Sequence, residues 1–360
     1  MLYKDYGKTG KKLSVIGFGG MRFRKEGDQY DLDKSAEVVR KANELGVNYF
    51  DTAPYYNDSK SEEIFGRAFR NMPGEFFVST KSSEKDGEKL RAQLETSLKR
   101  MGLSKINFFH IWCILTLDDY KSRMAKGGAY EAALKAKEEG LIEHLVFSTH
   151  CNGEEIETII KQGGFEGVTL GYNILNFPYR QKGIAAAYEH GLGVATMNPL
   201  SGGLIPQKAD YFDFIRSEED ATVVEAALRF NGSQKEITSV LAGMGTLEEV
   251  LENVKVGDKI KEFSESKLKE IESKLFASMD ALCTGCRYCE HCPKGIPVSK
   301  YMLSYNQKTL GGPKDALDNL KWHFGLPVEQ AKECIDCGLC ERKCTQHLPI
   351  TGRLKEIVSW

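Results

Sequence analysis

Eight of the ten cysteines fall in two short runs near the C-terminus, and their spacing suits iron better than disulfides. The first run is Cys283, Cys286, Cys289 and Cys292, and the second is Cys334, Cys337, Cys340 and Cys344. Three cysteines two residues apart curl a loop so that three thiolates converge on one cubane. In two-cluster ferredoxins the fourth ligand comes from the other run. The expected ligand sets for two [4Fe–4S] clusters are therefore Cys283, Cys286 and Cys289 with Cys344, and Cys334, Cys337 and Cys340 with Cys292. Pro293 after Cys292 keeps the usual ending, whereas Thr345 after Cys344 departs from it, and the last gap of the first run is one residue short. Structural zinc prefers two separated pairs, often with His. Disulfides need an oxidising compartment, and the polar start MLYKDYGKTG has no apolar export core. Cys113 and Cys151 stand outside the runs and read as ordinary buried thiols.

A second group could move protons. In Tyr49-Phe50-Asp51-Thr52-Ala53-Pro54-Tyr55-Tyr56 an acid precedes a tyrosine by five residues, and Phe77-Val78-Ser79-Thr80-Lys81 ends on a lysine. An acid beside a lysine holds the ammonium in place, and the ammonium lowers the cost of a nearby phenolate. The tyrosine can then give a proton to a carbonyl oxygen while hydride arrives at its carbon.

Strands must end where these residues lie. Residues 1–15 read as a β-hairpin turning around Lys8-Thr9-Gly10-Lys11. Short apolar runs follow at Val15–Phe18, Asn48–Phe50, Phe76–Thr80, Ile106–Trp112, His144–Phe147, Gly167–Gly171, Gly193–Met197 and Ser239–Leu241. Helical periodicity comes after each, at Asp33–Leu45, Ser61–Phe69, Glu84–Met101, Tyr130–Glu139, Glu154–Lys161, Gln181–His190, Glu218–Phe230 and Leu247–Val254. Eight strand-then-helix units predict a closed (β/α) barrel of the TIM type. A doubly wound sheet would carry GxGxxG after its first strand, and Gly17-Phe18-Gly19-Gly20 is not that motif. Active groups in a barrel lie at strand C-termini. That rule selects Asp51, Lys81, His110 or Trp112, Ser148 to His150, Tyr172-Asn173 and Met197-Asn198.

The chain thus reads as a barrel over residues 1–262, then a helical linker and a mainly helical, ferredoxin-like iron–sulfur domain over 263–360. Phe263–Met279 reads as the charged linker helix and Asp315–Phe324 as a helix between the cysteine runs. With 49 Lys and Arg against 51 Asp and Glu, the net charge of -2 gives no reason to expect nucleic acid as a partner. No apolar stretch approaches the ~20 residues that cross a bilayer. The expectation is a cytoplasmic protein, with no membrane partner, in a reducing setting that suits such clusters.

The stretch around Asp51, Tyr56 and Lys81 resembles the aldo-keto reductase family, whose Asp-Thr-Ala-x-x-Tyr and strand-end Lys carry three of four catalytic positions. The likeness spans roughly residues 1–260. It recurs in Ser61-Glu62-Glu63, Phe147-Ser148, Tyr172-Asn173, Asn198-Pro199-Leu200-Ser201-Gly202-Gly203-Leu204, and Ala242-Gly243-Met244-Gly245-Thr246 through Glu252-Asn253. With CTGCxYCxxCP, CxxCGxCExxC and His347-Leu348-Pro349-Ile350, the whole chain is similar to the ferredoxin-linked branch. The resemblance implies an oxidoreductase with Asp51, Tyr56 and Lys81 as catalytic residues. It also implies nucleotide contacts from Gly19, Ser148, Thr149, Tyr172, Asn198, Pro199, Leu200, Gly202, Gly243, Gly245, Thr246 and Asn253.

Some positions depart from the family pattern. Trp112 stands where the family's catalytic His belongs; His110, two residues earlier on the same strand face, and His150 are candidates to replace it. Thr149 and Thr169 stand where Asn and Gln are usual, and Met197 replaces a stacking tyrosine. Glu249 replaces the arginine that grips a 2′-phosphate, so NAD is favoured over NADP. Hydride moves two electrons and each cubane one, so a flavin is a possible intermediary, although the sequence carries no signal for it. Three readings follow. In the first, the barrel interconverts a small carbonyl and alcohol while the clusters exchange single electrons with a partner protein. In the second, a nicotinamide-dependent reductase carries structural or redox-sensing clusters. In the third, a decayed barrel serves as a non-catalytic electron carrier or binding module.

Overall fold

A computed structural model describes the chain from Met1 to Trp360 apart from residues 277–281, 284, 286, 312 and 345. The Cys286 ligand assignment and the end of the expected linker helix, residues 277–279, lie outside the described residues. The chain divides into two compact units, Met1–Leu200 with Arg216–Phe263, and Ser201–Ile215 with Ser264–Trp360.

The first unit is a closed barrel of eight parallel strands. They are β1 (Ile16–Gly19), β2 (Tyr49–Asp51), β3 (Phe77–Ser82), β4 (Ile106–Ile114), β5 (Ile142–Thr149), β6 (Gly167–Gly171), β7 (Gly193–Met197) and β8 (Ser239–Gly243). β8 pairs with β1 through Gly243 and Gly19, which closes the sheet. Each expected strand forms, several extending one or two residues further at their C-terminal ends. β4 runs past Trp112 because it bulges against β5 between Ile111 and Ile114, with Cys113 at φ 61.

The outer helices are α1 (Leu32–Glu44), α2 (Ser61–Phe69), α3 (Gly87–Met101), α4 (Ala129–Glu138), α5 (Gly153–Gln162), α6 (Phe177–Glu189), α7 (Val223–Ser233) and α8 (Leu247–Val256). Caps set their starts. The Asp86 carboxylate accepts from Lys89 N, so α3 begins later than its apolar pattern suggested. In α7, Thr222 is the cap, and Asp220 is held by Arg229 at 2.7 Å instead of opening the helix.

The N-terminal hairpin (Tyr3–Asp5 with Lys12–Ser14) closes the barrel floor. Lys4 Nζ donates to the carbonyls of Gly232, Gln234 and Ile237 at 2.7, 2.8 and 2.9 Å, clamping the hairpin to the C-terminal end of α7. Tyr6 is fully buried and packs with Tyr49, Phe77, Phe108 and Val146 as the lowest core layer. Gly167 and Gly193 let it in: a Cβ on Gly193 would lie 2.3 Å from the Tyr6 ring, and one on Gly167 would lie 2.4 Å from the Tyr6 hydroxyl.

The second unit holds α9 (Glu265–Phe276), α10 (Val298–Gly311), α11 (Pro313–Asp318) and α12 (Ile350–Ile357). The expected helix at Asp315–Phe324 begins earlier, as α11, and passes into a wide π-type turn over Asn319–His323. Helices α10 and α12 were not foreseen. Their apolar residues Val298, Tyr301, Met302, Ile350, Leu354 and Ile357 form the unit's core together with Cys283 and Cys289.

Gly193→Ala should cost about 1–3 kcal/mol, the usual scale of overpacking, seen as a lower thermal midpoint. Adding Tyr6→Ala to that variant should relieve the clash, so that the two changes together cost less than their sum.

Candidate functional site

The acid, the lysine and the tyrosine meet at the C-terminal end of the barrel. Asp51 ends β2 and Ser79 pairs with it across β3, so both side chains share one face of the sheet. Lys81 follows one pleat repeat later, and its Nζ donates to Asp51 Oδ1 at 2.5 Å and to the Thr52 carbonyl at 2.7 Å. Ser79 Oγ donates to the same carboxylate oxygen at 2.6 Å. Lys81 is 1 % exposed and Asp51 4 %, which makes this a dry ion pair whose lone pairs and protons are largely satisfied. Burial lowers the lysine's pKa, and Asp51 pulls it back up.

Tyr56 is delivered by a strained turn. Asn57, Asp58 and Ser59 all have left-handed φ values, at 53°, 53° and 66°. Such residues cost of order 1–3 kcal/mol each unless the surroundings fix them. Here Asn57 Nδ2 donates to the Gly20 carbonyl at 2.6 Å, and the Thr52 and Ser61 hydroxyls meet at 2.7 Å. The turn sets the Tyr56 ring centroid 5.3 Å from Lys81 Nζ. Burial, with the charge of Asp51 second, pushes the Tyr56 phenol well above its usual value, and Arg22 acts against them. The phenol therefore keeps its proton at neutral pH.

Trp112 walls the site, edge-on to Tyr56 at 5.8 Å and stacked on Tyr55 at 6.1 Å. It occupies the level where the resemblance expected an imidazole. His110 lies beneath it, registered with Lys81 across β3 and β4, fully buried, and neither ring nitrogen has a hydrogen-bond partner. Burial and then the Lys81 charge hold its pKa well below normal, so it is a neutral imidazole. His150 is buried at the end of β5, where its carbonyl accepts from Arg180. Arg180 was missed in the sequence. Fully buried in α6, it also donates to the carbonyls of Cys151 and Gly171, tying the ends of β5 and β6 together. Cys113 was expected to be an ordinary buried thiol, yet it sits half-exposed in the β4 bulge, near enough to influence Tyr56. Cys151 is buried as expected, its pKa raised to about 12 by burial.

The nucleotide candidates fall in several states. Ser148 Oγ accepts from Cys113 N at 3.0 Å, leaving its own proton to donate. Thr149 is spent on the strand end, donating to the Ile114 carbonyl and accepting from Cys151 N. Thr169 is fully buried in β6 with its hydroxyl unpartnered. Tyr172 is 2 % exposed and stacks on Phe230 at 5.8 Å. Asn198, at φ 62, gives its carbonyl to Asn173 Nδ2 at 3.0 Å, and Pro199 and Leu200 follow it in the first unit. Gly202 belongs to the second unit. Gly19 and Gly243 are neighbours in the sheet, Thr246 caps α8, and Asn253 is buried within that helix. At this helix start Glu249 acts as an internal anion. One carboxylate oxygen accepts from Gly245 N at 2.6 Å and the other pairs with Arg24 at 2.5 Å.

The cysteine loops share left-handed backbone at matching described positions. φ is positive at the second and fourth positions after the first cysteine of each run, at Gly285 and Arg287 (both 67°) and at Asp336 (52°) and Gly338 (66°). Alternating signs of this kind curl a chain and turn its N–H groups inward. Gly285 N donates to Cys283 Sγ and Leu348 N to Cys344 Sγ, both at 3.4 Å. In the other loop burial raises the Cys334 pKa, with the charges of Asp336, Cys292 and Cys337 adding to it, so Cys292 lies near the second run. Among the described residues no three or more His, Cys, Asp or Glu converge as ligands of one metal ion would, and the cysteines form no disulfide. A cubane places each thiolate on a different iron, so the curled loops and paired runs fit cluster ligation.

Comparison with known proteins agrees with this geometry. Residues 15–275 match the model of the aldo/keto reductase family. The chain belongs to that family. Residues 282–348 match a 4Fe-4S dicluster domain. L-galactose dehydrogenase of Arabidopsis thaliana is 27 % identical over 285 residues, covering 69 % of this chain and 85 % of that protein. Aflatoxin B1 aldehyde reductase member 2 of Rattus norvegicus is 32 % identical over 200 residues, covering 52 % and 53 %. A solved aldo-keto reductase of Bacillus halodurans in its holo form superposes with a TM-score of 0.65 at 22 % identity, covering 76 % of this chain and 96 % of that one. The protein is thus an aldo-keto reductase-type oxidoreductase with an iron–sulfur domain. Its family uses nicotinamide cofactors on small carbonyl substrates. Among the described residues no helix is long and apolar enough to cross a membrane.

His110 also makes stability depend on pH. Its folded pKa lies below the unfolded value of about 6.5, so the unfolded chain binds the extra proton. Stability is full above that pH and is lost as pH falls through it. Denaturant unfolding at neutral and mildly acidic pH should show a smaller acid loss for His110→Gln than for the parent.

Proposed function

We propose that the barrel interconverts a small carbonyl compound and its alcohol, with Tyr56 moving the proton and Asp51 and Lys81 holding it ready. The supporting observation is the Lys81 ammonium, fixed by Asp51 and Thr52 and facing the Tyr56 ring. When bound, the nicotinamide supplies or accepts hydride. The chain's own residues donate the proton from the Tyr56 hydroxyl, hold the lysine charged beside it, and wall the substrate with Trp112 and Tyr55. Ser148 retains a hydroxyl proton for a carboxamide oxygen. The reading favours NAD over NADP, because Glu249 already fills the helix-start donors and neutralises Arg24.

Two [4Fe–4S] clusters would be held by Cys283, Cys286, Cys289 and Cys344, and by Cys334, Cys337, Cys340 and Cys292. They would pass single electrons to or from a partner protein, with a flavin as a further cofactor where one- and two-electron chemistry must meet. One observation favours a second reading, in which the clusters hold the second unit together. Cys283 and Cys289 lie in its core, and Cys292, Cys334, Cys340 and Cys344 pack against it. Bleaching of the clusters by substrate under anaerobic conditions supports electron transfer. NADH-dependent turnover that survives cluster removal with the fold intact supports the structural role.

Tyr56→Phe should lower carbonyl reduction by about 10²–10⁴-fold, the scale of general acid catalysis, with the clusters' spectrum unchanged. Because burial raises the Tyr56 pKa, reduction should hold through neutral pH and decline only in alkali, while alcohol oxidation rises with pH. Opposite trends in steady-state profiles would remove Tyr56 as the acid. Cys337→Ser should cut iron from about eight to about four atoms per chain, with the far-ultraviolet circular dichroism of the barrel retained.

A further inference from the structure

Below Lys81 the barrel interior is unusually polar. Neither nitrogen of His110 has a hydrogen-bond partner; the hydroxyls of Tyr49, Tyr6 and Thr169 make no well-formed one, although Thr169 lies close to both tyrosines and Ser79 close to Tyr49, and all four side chains are fully buried. Buried polar groups nearly always find partners. Where they cluster without protein partners, ordered water normally supplies about three hydrogen bonds per molecule.

These residues stand in sequence between two charged pairs. Tyr49 is two residues before Asp51 on the inward face of β2, one pleat repeat (about 6.5 Å) lower. The Tyr6 and Tyr49 rings are 6.5 Å apart. The Tyr6 hydroxyl abuts Gly167, the residue after Glu166. At the floor, Glu166 accepts from His144 Nδ1 at 2.8 Å and also pairs with Lys137. Burial alone would raise the Glu166 pKa, but His144 and Lys137 hold it at about 2. Glu143 faces His144 Nε2 at 4.0 Å and is itself paired with Lys11 at 2.7 Å. Glu166 is about one third exposed, so this end of the column reaches solvent.

We propose that water bridging Tyr49, Thr169 and Tyr6 forms a proton path through the barrel, from the Asp51–Lys81 pair to the Glu166–His144 pair at the floor. The proposal rests on the reductase reading above. In reduction, Tyr56 loses a proton to the carbonyl oxygen as a hydride's electron pair reaches the carbon. Lys81 returns a proton to the phenolate and is itself reprotonated along the column, with solvent at the floor as the source. In oxidation the proton leaves by the same route. Substrate and cofactor can then fill the mouth without blocking proton exchange. The tyrosines stay neutral phenols, relaying a proton by giving one and taking one.

The test uses the anaerobically purified holoprotein with NADH and para-nitrobenzaldehyde as the probe, and compares it with Tyr49→Phe and Thr169→Val, each of which removes one oxygen and keeps the volume. Each variant should lower kcat for reduction about tenfold on the alkaline side, where proton supply limits the rate, with KM unchanged and a larger solvent deuterium isotope effect. A high-resolution crystal structure of the parent should show ordered water between the Tyr49 and Thr169 hydroxyls. An active parent whose two variants keep its pH profile and isotope effect would overturn the path, and so would a dry interior. A parent inert toward the probe would count against the reductase reading, while the crystallographic water still decides whether the column exists.

Discussion

An ammonium and a carboxylate 2.5 Å apart, closed off from bulk solvent, are the contact around which the barrel's active end is organised. Taking both charges out of water costs several kcal/mol per ion, and attraction repays this only if the remaining donors and acceptors are also satisfied. The chain meets that condition with local atoms: Ser79 on the acid and the Thr52 carbonyl on the lysine. Two of the three ammonium protons are thereby committed, leaving one for the phenol. Removing either partner would leave the other charge buried alone, so pair and fold are coupled. The same burial raises the Tyr56 pKa, which keeps the proton on the phenol.

Closure of the sheet makes this arrangement possible. Eight strands leave room inside only for side chains, and the floor is filled by Tyr6 from outside the barrel, admitted where β6 and β7 begin with glycine. A wholly aliphatic interior would pack as well, yet above this layer the residues turn polar: Ser79, His110, Ser148, Thr169. The ring layer of Tyr6 and Tyr49 below and charges above place the ion pair at the end of a column instead of in a uniform core. The strained turn at Asn57 to Ser59 completes the arrangement, since a relaxed turn would not present Tyr56 over the lysine.

Much of the barrel was legible because parallel strands covered on both faces appear as short apolar runs, and helices between them keep a 3.6-residue stripe. Asp51, Tyr56 and Lys81 were legible because they sit at strand ends. Ser79 was within reach of the same logic, two residues before Lys81 on one face. Arg180 was not, since a fully buried arginine bonded to carbonyls leaves no pattern in sequence. The role of Trp112 could be stated only as a departure; the structure shows it as a wall, with His110 beneath it and neither ring nitrogen hydrogen-bonded to protein. In the second unit, α10 and α12 escaped notice although Val298, Tyr301 and Met302, and Ile350, Leu354 and Ile357, keep helical spacing, because each stripe is only three apolar residues long. That Ser201–Ile215 belongs to this unit could not be read at all, because the segment lies far along the chain from the rest of it.

The two cysteine loops match in left-handed backbone at Gly285 and Arg287 and at Asp336 and Gly338 but sit in different surroundings. Around the first, Cys283 and Cys289 are buried, Asn306 clamps the Cys283 backbone at both its N–H and its carbonyl, and two sulfurs receive backbone N–H groups. Around the second, Cys337 and Ile335 are exposed, and the loop carries Asp336 paired with Lys355. Hydrogen bonds to sulfur and solvent exposure are the main protein controls on cluster potential, so two clusters ligated by the crossed sets would differ in both. A partner exchanging electrons would need close approach, which the exposed Cys337 and Ile335 would offer. Were Cys292 and Cys344 the crossed ligands, each would tie one loop to the other, and losing either cluster would loosen the support of its neighbour. Electron transfer and structural support would then be two consequences of one ligand pattern.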